Sequence, residues 1–98
     1  MRMETPETLA DVRTRIDAID GQLVRLLAER EGLVRAAAAF KRDEGAVRAP
    51  DRVERIVALG EERAADAALS PEVAETVWRA MIGAFIDLEL TEHATRRG

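Results

Sequence analysis

The 98-residue sequence contains no cysteine and no tyrosine, one tryptophan, two phenylalanines, three prolines and a single histidine. Without cysteine there is no disulfide staple, no thiolate metal site and no cysteine nucleophile. The lone His93 argues against a Ser-His-Asp relay and against a multi-histidine metal centre. An aromatic content of 3% leaves little of the material that strands favour. No apolar run approaches the roughly 20 residues of a membrane span. No signal-like segment opens the chain, so the expectation is a soluble cytoplasmic protein with no membrane partner. Basic residues are not in excess: 15 Lys and Arg stand against 19 Asp and Glu, a net charge of −4. That balance argues against nucleic acid as the main partner, which favours a strongly basic surface. What is present is an alanine-rich chain with 47% hydrophobic and 35% charged residues, the composition of an all-α protein. Its length is that of one domain, residues 1–98.

Each proline stands where a helix can begin, because a first-turn residue has no use for its N–H. Thr5-Pro6-Glu7 and Ser70-Pro71-Glu72 supply a cap, a proline and an acid, and Ala49-Pro50-Asp51 keeps the last two. Gly45 reads as the break after the first helix. Three helices are predicted, over about 6–42, 50–65 and 71–95, with ends uncertain by roughly 2–4 residues.

The first helix carries Leu9, Val12, Ile16, Ile19, Leu23, Leu26, Leu33, Ala37 and Phe40 at alternating steps of three and four, the seam of a coiled coil. One place in the series, position 30, holds an arginine. A helix of ~36 residues is ~54 Å long. A globule of this chain length has a radius of gyration near 13 Å. The long seam therefore predicts an obligate homodimer in which the first helices pair between subunits. In the third helix Val73, Val77, Met81, Phe85 and Leu88, with Trp78 and Ile82 beside them, read as a core-facing stripe.

Charged residues at seam or stripe positions are the candidates for function. Arg30 lies in the seam. Lys41, eleven residues on, points almost the same way if the helix continues, about 16 Å further along. Two such cations suit a small anion held between them. Arg13 lies about 25 Å before Arg30 on another azimuth, so it reaches the same pocket only across a dimer seam. The plainer reading of all three is solvated cations. Glu89 borders the stripe between Leu88 and Leu90 and reads either as a surface acid paired with a base or as a site residue. His93, one turn beyond, reads as a surface residue near a frayed end. Arg79 and the remaining arginines read as solvated charge.

The pattern Leu9-Ala10-Asp11-Val12-Arg13-x-x-Ile16-Asp17-x-Ile19-Asp20, then Leu26-Leu27-Ala28-Glu29-Arg30, then Lys41, resembles the all-helical chorismate mutases. The resemblance covers nearly the whole chain. It implies an interlocked helical homodimer with two active sites, each taking Arg13 from the partner chain. It implies a pericyclic rearrangement of chorismate to prephenate that needs no cofactor, metal or covalent intermediate. The substrate is a dicarboxylate, which planar guanidinium groups bind in bidentate fashion. The resemblance gives its two carboxylates to Arg13 and Arg30, and the ether oxygen to Lys41. Glu89 stands where many relatives have a glutamine that donates to that oxygen. An ionised glutamate has no proton to donate.

The second helix departs from the usual pattern. In Ala49-Pro50-Asp51-Arg52-Val53 the arginine is kept, but Val53 replaces the glutamate expected to hold the ring hydroxyl. This run, together with Phe40-Lys41 and the Thr5-Pro6-Glu7 opening, looks closer to isochorismate pyruvate-lyase, the salicylate-forming branch of the same fold. The 4-amino-4-deoxychorismate mutases also do without that glutamate. A non-catalytic helical dimer or adaptor is the alternative of another class.

Overall fold

The structure, a computed structural model, describes residues 5–97. All regular structure among the described residues is helical: α1 (Leu9–Ala38), α2 (Glu44–Arg48), α3 (Pro50–Asp66) and α4 (Pro71–Arg97). None of these helices is long and apolar enough to cross a membrane. The expected α3 and α4 are present. The first helix is shorter than expected at both ends, and α2 was not expected at all.

The N-terminal difference is a matter of capping. Thr8, not Thr5, caps α1: its hydroxyl accepts from the Asp11 N–H at 3.0 Å, and Asp11 Oδ2 accepts from the Glu7 N–H at 3.3 Å. A threonine followed three residues later by an acid is a capping pair in its own right, and it leaves Pro6 outside the helix. At the other end the N–H groups of Ala39 and Phe40 turn back to the carbonyls of Ala36 and Ala37, at 3.2 and 3.0 Å. These three-residue bonds tighten and close the helix. Asp43 then opens α2, its Oδ1 accepting from the Ala46 N–H at 2.8 Å. Gly45 therefore lies inside a helix and is not the break. At 30 residues, α1 is ~45 Å long rather than ~54 Å.

Two alanines adopt left-handed backbone, at a cost of about 1–2 kcal/mol each. Ala49 (φ 34°) ends α2, its N–H donating to the Gly45 carbonyl at 2.9 Å, and begins α3. Pro50 bars it from the right-handed helical region. Ala68 (φ 59°) follows α3, where the Leu69 N–H reaches the Ala64 carbonyl at 2.8 Å and the Ala68 N–H reaches that of Ala65 at 3.2 Å. That is the bonding of a Schellman motif, in which glycine is usual at the position Ala68 holds.

The chain divides into two units, at Gly32 and Leu33. In the first, no described residue is buried. Leu9, Ile16, Ile19, Leu23 and Leu26 are each 50–61% exposed. Among the described residues, every buried side chain lies in the second unit. Val57, Gly60 and Ala64 of α3, spaced by three and four, face α4, which contributes Ala74 and Ile82. Ala38 and Val47 complete the apolar part of this core. Trp78 lies so close to Gly60 that a β-carbon there would come within 2.9 Å of its ring.

The buried row of α4 is thus Ala74, Trp78, Ile82, Glu89 and His93, with Trp78 half-covered, while Val73 and Val77 are about half exposed. This row sits one residue, or ~100° of helix, from the stripe expected at its N-terminal half. The small side chains Ala74 and Gly60 permit close helix approach, and that outweighs the size of the two valines.

Arg79 is not a free surface charge. Its guanidinium donates in parallel to both oxygens of Glu54 on α3 (3.0 and 3.1 Å) and to Glu75 one turn back (3.3 Å). Hydrogen bonding and charge from Arg79 hold the Glu54 carboxyl below its ordinary range.

Candidate functional site

The second unit brings together Lys41 and Glu89, 48 residues apart in sequence. Lys41 lies beyond the end of α1, in the connection to α2, so a helical register from Arg30 does not set its direction. Its ammonium is 2.6 Å from Glu89 Oε2. The carboxylate is buried, the residue 5% exposed, whereas the lysine side chain is 30% exposed. The pair is ionic rather than a well-directed hydrogen bond, and Oε2 keeps an unused acceptor direction. A buried carboxylate is tolerated only beside a compensating charge, and Lys41 supplies it. Lys41 in turn keeps part of its side chain in solvent.

His93 proves to be 4% exposed, not a residue of a frayed end. It does not bond to Glu89. Its Nε2 lies 3.0 Å from the Lys41 carbonyl oxygen. A carbonyl only accepts, so Nε2 carries the proton and donates. The sequence did hold a signal for this. Ile82, Ile86, Glu89 and His93 follow one another by four, three and four, which puts His93 on the face that buries Ile82. Arg35 and Arg96 also face this end of α4, both on Glu92, at 3.0 and 3.3 Å.

The other candidates stand elsewhere. Ala49 forms the strained junction of α2 and α3. Its carbonyl accepts from the Val53 N–H at 3.0 Å, with Val53 half-buried and Arg52 exposed on the first turn of α3. Arg13 and Arg30 belong to the first unit. Arg13 is exposed, while Arg30 is half-buried and engaged by another group of the chain.

The ammonium can donate to a ligand oxygen from its exposed side, while its charge is already balanced by Glu89. Residues 12–90 match the family model described as chorismate mutase type II, and the chain belongs to that family. The chain is also similar to an isochorismate pyruvate lyase of Pseudomonas aeruginosa, 48% identical over 54 residues. That match takes in 52% of this chain and 54% of the relative, so the chain spans about half the length of the curated relative it matches.

Proposed function

We propose that the protein is an enzyme that breaks the enolpyruvyl ether bond of a chorismate-type dicarboxylate by a pericyclic step, and that its reaction is the rearrangement of chorismate to prephenate. The observation that carries this reading is the Lys41 ammonium, held at the buried Glu89 carboxylate on a side chain that is still 30% exposed. Negative charge grows on the ether oxygen as its bond to carbon breaks, and a fixed donor there lowers the barrier. Arg30 and Arg13 of the partner subunit hold the two carboxylates, folding the flexible side chain over the ring. Arg52, Ala49 and Val53 wall the ring. In this scheme Glu89 assists only when protonated, because an ionised carboxylate beside a dianion repels it and has nothing to donate.

Two copies of the chain complete each site. Support for this comes from the row Leu9, Ile16, Ile19, Leu23 and Leu26, which is apolar at coiled-coil spacing and is not covered within its own chain. A second α1 carries the same row and fits it.

A second reading, elimination of pyruvate from isochorismate to give salicylate, is favoured by Val53. A valine offers no hydrogen bond to the ring hydroxyl of chorismate, and isochorismate carries its hydroxyl at another carbon. The similarity to the lyase supports the same reading. An ultraviolet and fluorescence assay with chorismate, isochorismate and 4-amino-4-deoxychorismate in turn decides between them. Prephenate formed from chorismate is the expected result. Salicylate formed from isochorismate selects the lyase. No turnover of any of the three overturns the enzymatic reading and leaves the helical adaptor. With the active substrate, Glu89→Gln, which can donate to the ether oxygen in any state, is expected to keep or raise the rate. An unchanged rate in a folded Glu89→Ala variant removes Glu89 from the mechanism.

A further inference from the structure

Lys41 sits in the segment joining α1 to α2, residues 39–43, which belongs to neither helix. A lysine there has a mobile backbone beneath a four-carbon side chain unless something fixes both. The structure fixes both from one helix face. On the N-terminal side the Lys41 N–H reaches the Ala38 carbonyl at 3.4 Å, the last, long bond of the closing turn of α1. On the C-terminal side the carbonyl accepts from His93 Nε2–H at 3.0 Å. The ammonium meets Glu89, one turn before His93 on α4. Two buried polar residues of α4 are thus both committed to a single lysine, one to its backbone and one to its side chain.

Burial of an imidazole at 4% exposure calls for a reason, and the hydrogen bond of this ring leads to Lys41. Fixing the carbonyl fixes the rotation about the Cα–C bond of Lys41, and with it the plane of the next peptide. Asp43 clamps that chain two residues further on by capping α2. Nε2 carries a proton in the cationic ring and in the Nε2–H tautomer of the neutral one, so the anchor works in either state.

We propose that His93 is a positioning residue for the proposed reaction, anchoring the Lys41 backbone so that the ammonium is presented at a fixed place to the breaking ether bond. This rests on the function proposed above. The interaction of Lys41 with the ether oxygen strengthens only as charge develops there, so a loosened lysine costs turnover rather than substrate binding.

The test compares His93→Phe, which fills the space without a donor, with His93→Gln, whose amide can still donate to the carbonyl. Kinetics with the active substrate and hydrogen–deuterium exchange of the 39–43 segment are measured on both. The expected result for His93→Phe is a fall in kcat of about tenfold or more with KM within about twofold, and exchange in the segment faster by about tenfold. His93→Gln restores most of both. If His93→Phe does not fold, judged by circular dichroism, His93→Asn replaces it, being too short to reach and expected to lose kcat alike. A folded His93→Phe with wild-type kcat, or one whose loss is confined to KM, overturns the positioning role. Unchanged exchange at Lys41 and Arg42 overturns the anchor itself. Absence of turnover in the wild-type protein overturns the functional reading, and the exchange measurement then still decides whether His93 holds Lys41.

Discussion

Residues 5–32 and 33–97 are built from similar side chains and put them to different ends. The second unit buries Ala38, Ala64 and Ala74, its Val57 and Ile82, and even a glutamate and a histidine. The first has leucine or isoleucine at 9, 16, 19, 23 and 26 and buries none of them. Apolar spacing alone therefore does not say where a side chain ends up; it says which face is prepared for a partner. In residues 33–97 the partners are α3 and α4. For the first unit's row, the proposed partner is the same row of a second copy.

The largest expected effect breaks that comparison directly. In a chain whose row stays in water, a polar residue at Leu23 is a surface change worth no more than about 0.5 kcal/mol. If a second copy covers the row, Leu23→Glu buries an unpaired charge. It is then expected to convert the protein to single chains in sedimentation and to cut activity by about a hundredfold or more. A variant of unchanged mass and activity argues for a solvated row.

The core of the second unit gives the contrasting case. Ile82→Ala is expected to lower unfolding free energy by about 2–5 kcal/mol. Val24→Ala, at a 65% exposed position off the seam, is expected to change it by less than about 0.5 kcal/mol. Denaturant titration measures both, and similar losses would erase the difference between the units.

A smaller effect concerns local backbone. Ala68 holds a left-handed position in a Schellman cap. Ala68→Gly relieves that strain and is offset by the greater freedom of the unfolded chain. A net gain of up to about 1 kcal/mol is expected in thermal or denaturant unfolding, and a loss contradicts the strain.

Much of this architecture could be read from the sequence. Pro50 and Pro71 start their helices where an imino acid is harmless, and the three-four spacing of leucine and isoleucine identified α1. Arg30, Lys41 and Glu89 stood out as charges in apolar series, and two of them meet. What could not be read were choices between equivalent local signals. Thr5 and Thr8 both look like caps, and only the Asp11 bonds decide for Thr8. Asp43 competes with the continuation of α1 and wins, which hid α2 and took Lys41 off the helix.

The buried side of α4 was misplaced for another reason. Val73 and Val77 are larger than Ala74, but close packing with α3 rewards the smaller side chain, and Gly60 admits Trp78. His93 was hidden by its position near the end of the chain, although its spacing from Ile82 already pointed inward.

The proposed function depends above all on two copies sharing each site, Arg30 of one acting with Arg13 of the other. Mixing Arg13→Ala and Arg30→Ala chains, each inactive alone, tests this most directly. With subunit exchange verified by mass, half the dimers are mixed and each mixed dimer has one intact site of two. Recovery of about a quarter of wild-type activity is expected, because closed two-fold symmetry pairs the intact arginines in a single site. Activity that stays at the level of the separate variants, after complete exchange, would contradict a shared site.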